Sequence, residues 1–258
     1  MLHPNTSQLI ANYLSLPFLT DGVRCPYFNN RRTKVRGALR VLVGKGRPEE
    51  IVEEAKLFAL REKINLKNFN SEQLENFLST HHLGVDCSGL AYHLLDSETK
   101  AQRQKNLRAY LHFPFAKTPW RKLLAKLRPA ENAGTRTLAH TSNSTEISIS
   151  KVAAGDIIIM LDGPEIGNPN HILFIHERTE NVLHYTHALN WKNKTDQNGV
   201  RQGTIKITDE NKNLLEQVWQ ENDCENATNE TYARAGMAKT LSIRRLNCLK
   251  NQSTERSH

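Results

Sequence analysis

The chain is expected to fold as an α+β protein, with N-terminal helices followed by an antiparallel sheet. Helical periodicity and helix-start signals dominate up to residue 95, whereas alternating apolar segments separated by Gly, Pro and Asn turns dominate after residue 146. A length of 258 residues with 38% hydrophobic content suits one domain with one sizeable core.

In residues 7–16, Leu9, Ile10, Tyr13 and Leu14 share a helical face, and Pro17 ends that helix. Residues 38–43 read as a strand, which Gly44 and Gly46 break. Pro48 then opens a helix whose early acids, Glu49, Glu50, Glu53 and Glu54, suit the positive end of its dipole. Ser71 offers a cap for a helix reaching residue 80. Asp86 stands at or near the N-cap of a buried helix over residues 87–95, which places Cys87 in its first turn. Residues 31–84 and 96–145 read as inserted segments within a single domain spanning residues 1–258. Strands are expected over 147–152, 156–161, 171–176 and 182–189, with Gly155, Asp162-Gly163-Pro164 and Gly167-Asn168-Pro169-Asn170 in their turns. Later strands over 203–208 and 241–246 flank a helix around 213–219.

A net charge of +8 and a pI near 9.3 favour anionic partners such as nucleic acid, anionic lipid or wall polymer, and charge alone does not choose among them. Residues 100–130 hold nine basic residues, from Lys100 to Arg128, and no acidic one. Within them Trp120, Leu123, Leu124 and Leu127 fall at helical spacing. Such a basic amphipathic helix can lie on an anionic membrane or polymer, or pack its apolar stripe on the domain, which is the commoner use. Residues 22–48 carry eight more basic residues and no acid, so the two stretches together could ring a cleft with positive charge. No run approaches the roughly 18 apolar residues of a membrane span, and residues 1–19 lack a basic start and an unbroken apolar core. The cytoplasm is therefore the default expectation. The four cysteines form no Cys-x-x-Cys pair and read as free thiols.

Cys87 is the candidate nucleophile. A thiol of ordinary pKa is only a few per cent thiolate at neutral pH, and a helix N-terminus favours the charged form and can later hold an oxyanion. Ser88 and Gly89 are small enough to let a substrate carbonyl approach. The base must be a His brought from far along the chain. His171 opens a strand after a Gly/Pro/Asn turn, and His176, five residues on, points to the other face. In residues 182–189, alternation groups His187 with Leu183 and Tyr185 and sends His184 with Thr186 to the other side. His187 is thus the candidate third residue that orients the imidazole.

Taken together, Asp86-Cys87-Ser88-Gly89-Leu90, Ala154-Gly155-Asp156-Ile157, His171-Ile172-Leu173-Phe174-Ile175 and Thr186-His187-Ala188 occur in an order that resembles the NlpC family of cell-wall cysteine peptidases. The resemblance covers residues 84–190. It implies a papain-like fold in which the nucleophile helix packs on the antiparallel sheet, with a Cys87-His171-His187 triad and Asp86 and Gly89 as structural residues. It further implies a cell-envelope location and peptidoglycan stem peptides as substrate, with no metal and no cofactor. Tyr27, in Cys25-Pro26-Tyr27-Phe28, is the candidate for the Tyr that helps form the family's oxyanion site, beside Ser88. Two alternatives remain open. One is a non-catalytic module holding an anionic polymer or nucleic acid on its basic surface. The other is a zinc site built from Cys87, His171 and His187.

Overall fold

The computed structural model describes residues 1–20, 22–29, 40–164, 169–190, 198–222 and 224–250. Helices α1 (Pro4–Leu14), α2 (Pro48–Glu62) and α3 (Ser71–Thr80) come first. The cap of α3 is Asn70 rather than Ser71. The Asn70 side chain accepts from the Gln73 N–H, and the Gln73 side chain accepts from the Asn70 N–H, which satisfies two leading donors at once. Helix α4 (Cys87–Arg103) runs well beyond residue 95 into the segment read as an insertion. The short helices α5 (Pro119–Leu127), α6 (Pro129–Asn132) and α7 (Thr135–Ala139) follow.

The remaining chain builds an eight-stranded sheet from β1 (Ser144–Glu146), β2 (Ile157–Leu161), β3 (His171–Arg178), β4 (Val182–Leu189), β5 (Gly199–Lys206), β6 (Val218–Glu221), β7 (Cys224–Glu225) and β8 (Thr240–Leu246). The spatial order is β1-β8-β2-β3-β4-β5-β6-β7, and every neighbouring pair is antiparallel. Helix α8 (Glu230–Met237) separates β7 from β8. The α+β expectation therefore describes the chain.

Several boundaries differ from the sequence pattern. Residues 38 and 39 lie outside the described residues, and Val41–Val43 is a 3-10 turn rather than a strand, closed by Gly44 at φ 73°. Edge strand β1 sits earlier than residues 147–152, because β8 pairs with 144–146, and Ile149–Lys151 is a 3-10 turn. Strand β5 starts at Gly199 rather than 203. The expected helix over 213–219 is a 3-10 turn, Leu214–Glu216, that runs into β6. Trp219 enters that strand because its indole N–H reaches the Leu214 carbonyl at 2.8 Å while its ring packs beneath Tyr185.

Both faces of the sheet are covered. Ile157, Ile159, Ile172, Phe174 and Ala188 pack with α4 residues such as Leu90 and Leu94, and with residues of α1, α2 and α3. The alternate residues Ile158, Leu173, Ile175, Tyr185, Ile205 and Trp219 form a second core with Ala235 of α8. Helices α2 and α3, within the first inserted segment, thus contribute to the main core rather than to an appendage; residues 31–39 of that stretch lie outside the described residues. The Gly155-Asp156 motif is structural. Gly155 adopts φ +96°, and both carboxylate oxygens of Asp156 accept from Arg245 of β8 at 2.8 Å.

Two histidines are held neutral by this packing. Burial pushes His93 of α4 down to about 3, although its Nε2 contacts the Lys45 carbonyl at 2.8 Å, and pushes His176 down to about 4. In the unfolded chain both take up protons near 6.5. The unfolded state then binds more protons, so stability present at neutral pH is lost progressively as pH falls from about 6.5 towards about 4. Thermal midpoints by circular dichroism should fall across this window. A His93→Gln variant, which keeps a donor for the Lys45 carbonyl, should show a shallower fall.

Candidate active site

Helix α4 begins in a dense polar knot. The Asp86 carboxylate caps it by accepting from the Gly89 N–H at 2.6 Å. The same oxygen accepts from Lys45 Nζ at 2.7 Å and from the Ser88 hydroxyl at 3.0 Å, and Lys45 also donates to Ser88 Oγ at 2.6 Å. All three residues are buried. Lys45 arrives on a loop whose Gly44 carbonyl accepts from the Asp86 N–H at 2.9 Å. A Cβ on Gly89 would stand 2.6 Å from that carbonyl oxygen and 2.9 Å from the Lys45 stem. Gly89 therefore lacks a side chain to admit this loop rather than a substrate.

A second network is built across β3, β4 and β6. His171 and His187 lie on the face that carries Leu173 and Tyr185, as strand alternation requires. His171 Nε2 meets His187 Nδ1 at 2.8 Å, with the rings nearly perpendicular. His187 Nε2 meets Glu221 Oε1 at 3.1 Å. The other Glu221 oxygen accepts from the Tyr185 and Thr231 hydroxyls, each at 2.8 Å. Both side chains of the His187–Glu221 pair are wholly buried. Burial alone would raise the Glu221 pKa. The charge and hydrogen bond of His187, with Tyr185 and Arg201, outweigh burial and hold it below the usual carboxylate value.

The anionic end of this chain gives it a direction. Glu221 can only accept, so His187 donates from Nε2; when the His187 Nδ1 in turn accepts from His171 Nε2–H, the His171 proton sits on Nε2. His171 is left with a bare Nδ1. That atom is buried and has no hydrogen-bond partner among the described residues. Burial, then the neighbouring His187 and Arg234, hold the His171 ring well below the ordinary imidazole range. His171 is therefore neutral.

Cys87 meets the start of β3 one residue from His171 in the chain. The Ile172 N–H, one residue beyond His171, hydrogen-bonds the Cys87 sulfur, and the Arg234 charge acts on both Cys87 and His171. No hydrogen bond joins the thiol to the imidazole in this structure. The helix start does not yield a preformed thiolate either. Burial, reinforced by Asp86, pushes the thiol up to about 11 against the opposing pull of Lys45, Arg234 and the Ile172 N–H. Desolvation outweighs the helix dipole here.

The other expected residues divide. The Ser88 hydroxyl is committed to Asp86 and Lys45, which leaves its backbone N–H as its route to an oxyanion. Tyr27 forms a parallel bridge with Val85, two residues before Cys87, and its hydroxyl accepts from Asn29 at 3.3 Å. Its neighbour Asn29, and not Tyr27, is among the described residues lining the cleft. His184 and His176 face the other side, where His176 Nδ1 meets Thr186 Oγ1 at 3.0 Å. The zinc alternative finds no support in the arrangement, because the facing His171 and His187 nitrogens bond each other and Glu221 takes the next one. Among the described residues no group of three His, Cys, Asp or Glu is placed to hold a metal. Sequence reasoning missed Glu221 and Lys45.

A cleft of about 940 Å3 opens over Cys87. Lys45, Asp86 and Ser88 line it together with Phe115, Leu124 and Arg128 of the second inserted segment. Of the expected ring of positive charge, Arg31, Arg32, Lys34 and Arg36 lie outside the described residues. Arg128 pairs with Glu131, Arg136 pairs with Asp162 and Lys45 pairs with Asp86.

In comparisons with known proteins, no family model, curated protein or solved structure matches this chain. Its chemistry has to be read from its own geometry. For a thiol titrating near 11, alkylation by iodoacetamide should rise about tenfold per pH unit between about pH 7 and 9. Peptide mapping of the Cys87 adduct measures this; a rate already level across that range would mean a preformed thiolate.

Proposed function

We propose that this protein is a thiol hydrolase of papain-like fold that cleaves an amide bond, with peptidoglycan stem peptides as the substrate class suggested by the resemblance of its motifs to the NlpC family. One observation carries the reading. The buried Glu221-His187-His171 chain ends in a bare, neutral imidazole nitrogen next to the residue whose N–H contacts the Cys87 sulfur.

Because burial disfavours a free thiolate, proton transfer accompanies attack. Cys87 Sγ bonds to the substrate carbonyl carbon while its proton passes to His171 Nδ1. Backbone N–H groups at the start of α4 hold the resulting oxyanion. Collapse of this intermediate breaks the C–N bond, and His171 returns the proton to the departing amine, leaving a thioester on Cys87. Water, deprotonated by His171, then releases the carboxylic acid and restores the thiol. Glu221 acts through His187. It fixes the tautomer that leaves Nδ1 free, and it offsets the positive charge that His171 gains.

A second reading, a non-catalytic module that holds an anionic polymer, draws on the neutral thiol and its lack of a hydrogen bond to His171. Digestion of purified peptidoglycan fragments, with new amine ends followed by chromatography, separates the two. Hydrolysis should vanish in Cys87→Ala. Glu221→Gln, whose amide can present a donor to His187, should lower kcat by about 10^2- to 10^4-fold with little change in KM, and Glu221→Asp should recover part of the loss. Polymer binding that is steeply salt-dependent and unchanged in Cys87→Ala, with no hydrolysis by the parent protein, would favour the module.

A further inference from the structure

The orientation of α5 is the reverse of that expected for a surface helix. Ala125 is its one buried residue, at 2% exposure, and belongs to the main core. Its apolar stripe faces outwards, with Trp120 66% and Leu127 63% exposed and Leu123 and Leu124 exposed between them. The expectation that this stripe packs on the domain is therefore overturned. Successive residues turn by about 100°. The four apolar side chains thus fill one arc, with Lys126 on one border and Arg121 on the other, where Arg128, paired with Glu131, caps the helix. Phe115, just before the helix, adds a further exposed ring, and Lys117 lies between them.

We propose that α5 with Phe115 docks the protein on an anionic lipid bilayer. Charge complementarity names the occupant, because no acidic residue occurs from 100 to 130. The arrangement also suits an interface better than a protein groove. An outward apolar arc bordered on both sides by long cationic side chains lets the apolar groups enter the acyl boundary while the cations stay at the headgroups. The indole of Trp120 favours the same boundary. Among the described residues no helix is long and apolar enough to cross a membrane, so the contact is peripheral. Leu124 and Phe115 also line the cleft over Cys87, which would hold the cleft close to the bilayer surface.

Sedimentation of the full chain with vesicles tests the proposal, using phosphatidylglycerol–phosphatidylcholine mixtures against phosphatidylcholine alone. Binding should be at least about tenfold stronger to the anionic vesicles and should weaken with salt. A Leu123→Ser/Leu127→Ser double variant keeps every charge and alters only exposed positions, and it should lose binding about tenfold with an unchanged melting curve. Cys87→Ala should bind as the parent does, which separates this result from the catalytic reading. Equal binding to both vesicle types would overturn the proposal, as would full retention in the double variant. Absence of binding to either would also overturn it and leave the patch to an acidic protein partner.

Discussion

The buried carboxylate of Glu221 sets the direction of everything polar on its face of the sheet. A charge so far from water persists only if its acceptor sites are filled, and here Tyr185, Thr231 and His187 fill them with Arg201 nearby. Meeting that need obliges His187 to donate from Nε2, which turns its Nδ1 to His171 Nε2. In the proposed mechanism, the base is thus specified by a residue that touches no substrate. The close fit of Gly203 belongs to the same network, since a Cβ there would lie 2.3 Å from the Tyr185 hydroxyl oxygen.

On the other side of the sulfur, the Asp86–Lys45–Ser88 knot fixes where α4 begins. Breaking a buried pair costs more than forming one contributes, so the knot is better understood as fixing position than as adding stability. Its effect on the thiol is mixed, because Asp86 raises the pKa that Lys45 lowers. Burial decides the outcome. In the proposed mechanism, a neutral thiol and a neutral imidazole move the cost of charge separation into the step in which substrate is attacked.

Much of this was legible in the sequence. Alternation assigned His171 and His187 to one face and His176 and His184 to the other, and Asp86 announced a helix start at Cys87. Those readings rest on local periodicity, which the fold preserves. Glu221 was hidden because residues 213–219 look helical and its role depends on β6 pairing with β5 far from either histidine. The buried-exposed-buried sequence Trp219-Gln220-Glu221 is the one local trace of it. Lys45 was hidden between two glycines that suggested only a turn. For α5 the stripe was visible, but its direction was not, since nothing in helical spacing tells which side meets the core. Ala125 is the one α5 residue that meets the core.

The central claim is that Cys87 forms a covalent bond to the acyl half of a substrate with His171 as its base. Acid-quenched intact-mass spectrometry during turnover of a peptidoglycan fragment measures this directly. The account predicts a transient adduct on Cys87, equal in mass to the acyl half, that forms and decays at least as fast as product appears. Product accumulating while Cys87 stays unmodified throughout would contradict it.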